Sequence, residues 1–364
     1  MKQNLFFISV ALLGLTACSN DTVLEENIST NQPREIAFTP LTQPTTRAAV
    51  QGTTFPTTNT MEVRAYQTTP AGGAGDYFSK TTFAYQYLAG AVDATNNPSY
   101  WGGTTPRYWP LGEASLNFFA VSGANVNAAD ITIADALASS AVNFRKYVEN
   151  RDDDITNPVG TTYSQTTQSD IMYAFGRQSV GVSENALSFN AVDMQFKHAL
   201  ALVKFQVKAG NAASEAISIT SIVVNGAKYT GSLALTNSAA VTATSGDVTT
   251  TVSWTPDAAV NNVTVPNSTG IGALVNGTFK PADGGAEGTW ACLMIVPGTG
   301  NGISNFVINY TLNSNDYSYT YIPSLSNTVA GTVYTYQITM TLNEIQINPT
   351  VSGWTGTPTA VAVP

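Results

Sequence analysis

At 364 residues the chain is long enough for two domains of ordinary size, and a formal net charge of −9 without any basic cluster excludes nucleic acid as a partner. Charged residues make up 11%, against roughly 25% in typical soluble domains, so the surface relies on hydroxyls and amides instead of ion pairs. A single histidine excludes a His-rich metal centre.

Lys2 precedes an apolar run, Leu5 to Leu13, which has the length of a signal h-region and is too short to span a bilayer as a helix. The run closes on Leu15-Thr16-Ala17-Cys18. This tetrapeptide resembles the lipobox of bacterial lipoproteins, which makes residues 1–17 a removed signal peptide and Cys18 an acylated N-terminus. Ser19-Asn20-Asp21, followed by Glu25 and Glu26, resembles the acidic tether that routes Bacteroidetes lipoproteins to the outer face of the outer membrane. With Cys18 acylated, Cys292 has no disulfide partner and reads as a small buried hydrophobe within Trp290 to Pro297.

Residues 19–60 are rich in Thr, Pro, Asn and Gln, interrupted by one strand-like piece, Arg34 to Phe38, in which Ile36 and Phe38 share a face. Period-two segments then predict strands at Met61 to Tyr66, Phe83 to Leu88, Ser115 to Val121, Met172 to Phe175 and Ala186 to Phe189. Helical spacing is scarce, with candidates only at Ala128 to Ala138 and Arg145 to Glu149. Further strands are predicted at Leu200 to Val207, Ile217 to Val224, Gly231 to Leu235, Val248 to Trp254, Trp290 to Val296, Phe306 to Leu312 and Tyr317 to Ile322. The inward face changes phase between Leu200 and Val203, which predicts a bulge or bend. In Tyr334 to Leu342 the aromatic and aliphatic residues alternate strictly with Thr and Gln, the mark of one buried and one wet face. Many short strands separated by Gly, Asn and Pro turns argue for an all-β sandwich, two in tandem.

The chemistry of an enzyme is missing. His198, in the strand-like run Phe196 to Leu200, reads as a structural histidine, and there is no HExxH. Gly181-Val182-Ser183-Glu184-Asn185 lacks the second glycine of a nucleophile elbow. Gly72 to Gly75 has no following Gly-Lys-Ser/Thr, so it is a hairpin connection and not a phosphate loop. Asp152-Asp153-Asp154 with Thr156 and Asn157 lacks the glycine and distal glutamate of an EF-hand and reads as a solvated acidic loop. The pairs Tyr100-Trp101 and Tyr108-Trp109 would stack on sugars if exposed, which keeps a glycan-binding surface lipoprotein as an alternative, but core packing is the first reading. No catalytic residue, cofactor or metal is assigned.

At the far end, Glu344 to Trp354 sets Ile345, Ile347 and Val351 on one face, with Trp354 as an anchor. By pattern alone this segment is equally the last strand of its own domain or a strand offered to another chain.

Several segments together resemble the fimbrillin family of Bacteroidetes type V pili. They are Arg107-Tyr108-Trp109-Pro110 running into Leu116 to Ala120, Ser169 to Ala174, Phe196 to Leu200, Leu293 to Pro297, Gly331 to Tyr336 and the closing Val351-Ser352-Gly353-Trp354. The resemblance implies two tandem transthyretin-like Greek-key β-sandwiches, at 48–185 and 186–364, behind a tether and propeptide at 18–47. It implies a structural subunit of a surface fimbria, partnered by other copies of itself and other fimbrial subunits, held at the outer membrane by its lipid before processing, and contributing to adhesion to a host or bacterial surface ligand. Family members are cut by an arginine-specific protease, and Thr45-Thr46-Arg47-Ala48 occupies the matching place, in a stretch open to a protease. Cleavage between Arg47 and Ala48 would discard the strand that carries Ile36 and Phe38, and the resemblance makes residues 344–364 the strand that replaces it in a neighbouring subunit.

Overall fold

The computed structural model describes residues 35–42, 59–69, 75–78, 83–92, 98–110, 114–122, 132–133, 141–142, 144–145, 171–180, 191–210, 217–229, 231–237, 250–259, 261–265, 271–274, 279–281, 291–324 and 326–353, with Phe55 and Thr57 besides. Its regular elements are strands throughout. The first eleven are β1 (Phe38–Thr42), β2 (Met61–Thr69), β3 (Gly75–Asp76), β4 (Phe83–Val92), β5 (Pro98–Gly103), β6 (Ala114–Ser122), β7 (Thr132–Ile133), β8 (Ala141–Val142), β9 (Phe144–Arg145), β10 (Met172–Val180) and β11 (Val192–His198). The next twelve are β12 (Ala201–Ala209), β13 (Ile217–Asn225), β14 (Gly231–Asn237), β15 (Thr250–Pro256), β16 (Val263–Thr264), β17 (Ile271–Ala273), β18 (Lys280–Pro281), β19 (Ala291–Ile295), β20 (Asn305–Leu312), β21 (Asn315–Tyr321), β22 (Thr332–Met340) and β23 (Ile345–Gly353).

Two predicted helices are corrected where they are described. Thr132 and Ile133 pair as a strand with Arg145 and Phe144. Thr132 and Ile133 are β-branched, which favours extended backbone over the helical spacing of the alanines around them. The predicted strand Ala186 to Phe189 lies outside the described residues, and the strand nearest it in the chain is β11.

In the N-terminal half the strands run β3-β2-β4-β5-β1-β11-β10-β6, and β6 pairs back onto β2. The sheet therefore closes on itself, with β3 hanging off the ring. Inward alternation fills it with a core that includes Met61, Val63, Leu116, Phe118 and Met194, each almost fully buried. A stack of two separate sheets was expected; a closed ring is found because β1 bridges β5 and β11. Without β1 the order β5-β4-β2-β6-β10-β11 is an open sheet. The closure is thin. β1 meets β11 in a parallel ladder from Phe38↔Val192 to Thr42↔Phe196 but meets β5 at Phe38↔Trp101 alone.

The C-terminal half has two sheets face to face. One runs β18-β12-β22-β23 with β19 also on β12, the other β16-β13-β20-β21 with β17 also on β13. Their inner faces share a core in which Phe205 stacks on Tyr336 at 5.5 Å and meets Phe306 edge-on at 5.1 Å.

The phase change near Leu200 has two causes. The chain bends at Leu200, between β11 and β12. Just beyond the bend, from Ala201 to Phe205, both faces of β12 are covered. Val203 and Phe205 face the sandwich core, while Leu202 joins Phe119, Val121, Tyr173, Met294 and Val333 in a separate cluster. That cluster joins strands of the closed sheet to strands of the sandwich, and Trp254 pins the bend by donating its indole N–H to the Ala199 carbonyl at 2.7 Å. A continuously apolar stretch is what a strand buried on both sides requires.

Candidate functional site

The site begins at β1. Its regular strand runs from Phe38 to Thr42, further along than the predicted Arg34 to Phe38, and is entered through an isolated bridge between Glu35 and Tyr108. Ile36 donates its N–H to the Arg107 carbonyl at 2.7 Å, and Val192 donates to the Ala37 carbonyl at 2.9 Å. Both expected anchor residues are buried, Ile36 at 0% and Phe38 at 2% exposure. The Phe38 ring stands edge-on to Tyr85 (4.7 Å) and to Phe118 (5.1 Å), so β1 contributes side chains to the centre of the closed sheet.

Pro40 is possible here because of ladder phase. Ala37 bonds β11, so alternate residues Thr39 and Leu41 direct their backbone groups the same way, and the Pro40 nitrogen faces the other side. There the pairing with β5 has already ended at Phe38, and no donor is needed.

Glu35 is held by a polar contact that the sequence did not reveal. The Tyr100 hydroxyl donates to Glu35 Oε2 at 3.0 Å. Tyr85 lies close enough to feel both Glu35 and Arg107; burial pushes its hydroxyl well above the usual phenol range, Glu35 pushes it further, and Arg107 opposes. The only sequence signal for this seat is an acidic residue just before an apolar alternation.

At the other end of the chain, β23 pairs antiparallel with β22 from Met340↔Ile345 to Thr332↔Gly353. It is the last strand of its sheet. Ile345, Ile347 and Val351 pack half-buried against the sandwich core. Trp354 lies outside the described residues, as do Cys18, Arg47, Ala48 and the acidic stretch 152–157.

The remaining candidates are structural in their setting. His198 is buried at the end of β11, opposite Met172. Trp101 packs on Phe55 and Trp109 on Phe118, both in the core, whereas Tyr108 is exposed. Among the described residues no group of three or more His, Cys, Asp or Glu side chains is placed to hold a metal ion.

A fimbrillin-like family model matches residues 46–354. No curated protein matches the chain. Among solved structures it is similar to a fimbrial protein from Bacteroides vulgatus, at 17% identity and a TM-score of 0.42 over 88% of this chain and 99% of that one. A Bacteroides ovatus protein assigned to cell adhesion is similar at 14% identity and a TM-score of 0.48, over 89% and 98%. A fimbrial assembly protein from Parabacteroides distasonis is similar at 11% identity and a TM-score of 0.38, over 88% and 97%.

Proposed function

The chain belongs to the fimbrillin-like family, and on that premise we propose that it is a non-enzymatic structural subunit of a type V surface fimbria that polymerises by strand exchange. The precursor is anchored in the outer membrane through Cys18. A protease cuts between Arg47 and Ala48, the segment carrying Ile36 and Phe38 departs, and residues 344–364 of another subunit take its place. The assembled form stands on the cell surface and contributes to adhesion.

One observation carries this reading: β1, upstream of the cut, is the strand that turns an open sheet into a closed one, and its joint to β5 is a single ladder pair. Its loss would leave β5 and β11 as unpaired edges and would empty the sockets of Ile36 and Phe38, side chains worth about 1.5–3 kcal/mol each in burial. A strand from outside satisfies both needs. β23 is suited to the task, since it sits at the edge of its sheet with its apolar residues only half-buried.

The two-domain reading follows with a changed boundary. Two transthyretin-like domains would meet at Ala199-Leu200, after β11 has completed the first sheet, and not at 185/186. The first would be a sandwich whose edges β1 has joined.

Deleting residues 344–364 tests the proposal. A folded, secreted monomer that forms no heat-labile ladder on denaturing gels is the expected result. Normal fibres from the truncated chain would reject it.

A further inference from the structure

Two distant stretches of this chain share one pattern at a constant offset. Glu35-Ile36-Ala37-Phe38-Thr39-Pro40-Leu41-Thr42 aligns with Glu344-Ile345-Gln346-Ile347-Asn348-Pro349-Thr350-Val351. Glutamate, isoleucine and proline coincide at the first, second and sixth places, with a large apolar residue at the fourth and a small polar one at the fifth.

The structure gives the two stretches matching faces. Ile36, Phe38 and Pro40 are buried and Thr39 is exposed; Ile345, Ile347 and Pro349 are half-buried, and Gln346 and Asn348 are exposed, the exception being the small Ala37, which is buried where Gln346 is exposed. The backbone agrees as well. In β1 the residues Ala37, Thr39 and Leu41 turn to β11, leaving Ile36, Phe38 and Pro40 to the opposite side. In β23 the Thr341 N–H donates to the Glu344 carbonyl at 2.8 Å, so Gln346, Asn348 and Thr350 bond β22 while Ile345, Ile347 and Pro349 face the free edge. Each proline therefore stands where its ladder needs no donor.

Resting on the strand-exchange reading above, we infer the register of that exchange: Glu344 to Val351 of a second copy occupies the seat of Glu35 to Thr42, residue for residue. Glu344 then accepts from the Tyr100 hydroxyl beside Arg107, Ile345 and Ile347 fill the sockets of Ile36 and Phe38, and Pro349 replaces Pro40. Glu344 is the residue that fixes the register, because sliding the strand by two residues keeps apolar side chains inward but removes the carboxylate from its seat. In its own sheet Glu344 is exposed and its contacts with Thr341 are made by backbone atoms, N–H to Thr341 Oγ1 at 3.0 Å and carbonyl from the Thr341 N–H. Its carboxylate is free to serve elsewhere.

Disulfide trapping in fibres of the full chain, in a Cys292→Ala background, reads the register. Thr39 pairs with Asp193 on the exposed face of the sheet, so Asn348→Cys with Asp193→Cys should link neighbouring subunits on non-reducing gels. Linking of Asn348→Cys to Ala191→Cys or Gln195→Cys instead would overturn the register and leave the exchange standing. Fibres in which none of these pairs links would overturn both. Glu344→Ala should slow fibre assembly roughly tenfold or more, as expected for loss of a charged hydrogen bond, without moving the melting temperature of the monomer. An unchanged assembly rate would remove Glu344 from the recognition.

Discussion

Phe38 and Trp101 form the one ladder pair between β1 and β5, and the same side of the closed N-terminal sheet is otherwise held by the Ile36 N–H bond to the Arg107 carbonyl and the Glu35–Tyr108 bridge. Phe38→Ala in the precursor should remove two edge-to-face ring contacts and leave a cavity, at about 3–5 kcal/mol. Denaturant unfolding of the uncleaved chain measures it, and the same substitution should speed proteolytic loss of the N-terminal segment. A change below 1 kcal/mol would mean that β1 is not part of the core.

Gly176 lies on the inward face of β10 where Met194 and Val192 approach from β11; an added Cβ would meet the Met194 sulfur, Val192 Cγ1 and the Asp193 carbonyl. Gly176→Ala is expected to destabilise the closed sheet by about 1–3 kcal/mol, the usual range for overpacking. The midpoint of chemical denaturation would report it, with Ala174→Gly on the same strand as a reference for backbone effects.

Alkaline pH should weaken the fold. Burial raises the Tyr85 and Tyr336 hydroxyls well above their ordinary value, and neighbouring Tyr321 and Tyr334 add to the effect at Tyr336. The folded state therefore holds these protons more tightly than the unfolded state, and the stability they contribute is complete below about pH 10, the unfolded phenol value, and falls above it. Each group contributes a slope of about 1.4 kcal/mol per pH unit in that window. Tyr336→Phe, which keeps the stack on Phe205, should flatten the stability curve between pH 10 and 12; an unchanged slope would assign the alkaline loss to other groups.

Processing at the N-terminus has two separable readouts. Cys18→Ala should abolish labelling by a palmitate analogue and leave an unprocessed or soluble precursor. Mass spectrometry of purified fibres should find Ala48 as the N-terminus; dominant peptides spanning Thr46-Arg47-Ala48 would contradict cleavage there and, with retained lipid, favour an anchoring subunit.

Strand content was legible in part where one face is wet. Phe306 and Ile308 alternate inward within the predicted strand at Phe306 to Leu312, whereas Val192 to His198, which alternates strictly between buried and exposed, falls between the predicted strand at Ala186 to Phe189 and the strand-like run at Phe196 to Leu200, which it overlaps. Topology was not legible, because the decisive pairings join residues far apart: Phe38 finds Val192, and Tyr100 finds Glu35. Nor does local pattern reveal a second covering layer. Val333 and Tyr334 are successive residues of β22 that point to opposite faces, and both are buried because Val333 faces one cluster and Tyr334 another. The echo between Glu35 to Thr42 and Glu344 to Val351 stands in the sequence, yet only the matching ladder phases of β1 and β23 distinguish it from a coincidence of two amphipathic strands.

The parallel pairing of β12 with β22, from Leu202↔Val333 to Ala209↔Met340, has a mechanical consequence. In the unexchanged chain, Leu202, Val333 and Ser352 lie side by side, so the sandwich is entered and left at one end, and tension applied there would peel β23 from β22 one pair at a time. Once residues 344–351 are seated in a neighbour, the pull enters at the start of β12 and leaves beyond Met340, at the opposite end of the same parallel ladder. The whole ladder is then loaded in shear, and its bonds must fail together instead of in sequence. Assembly would thus convert a body that unzips into a link that resists stretching, with forced-unfolding rate as the quantity that registers the change.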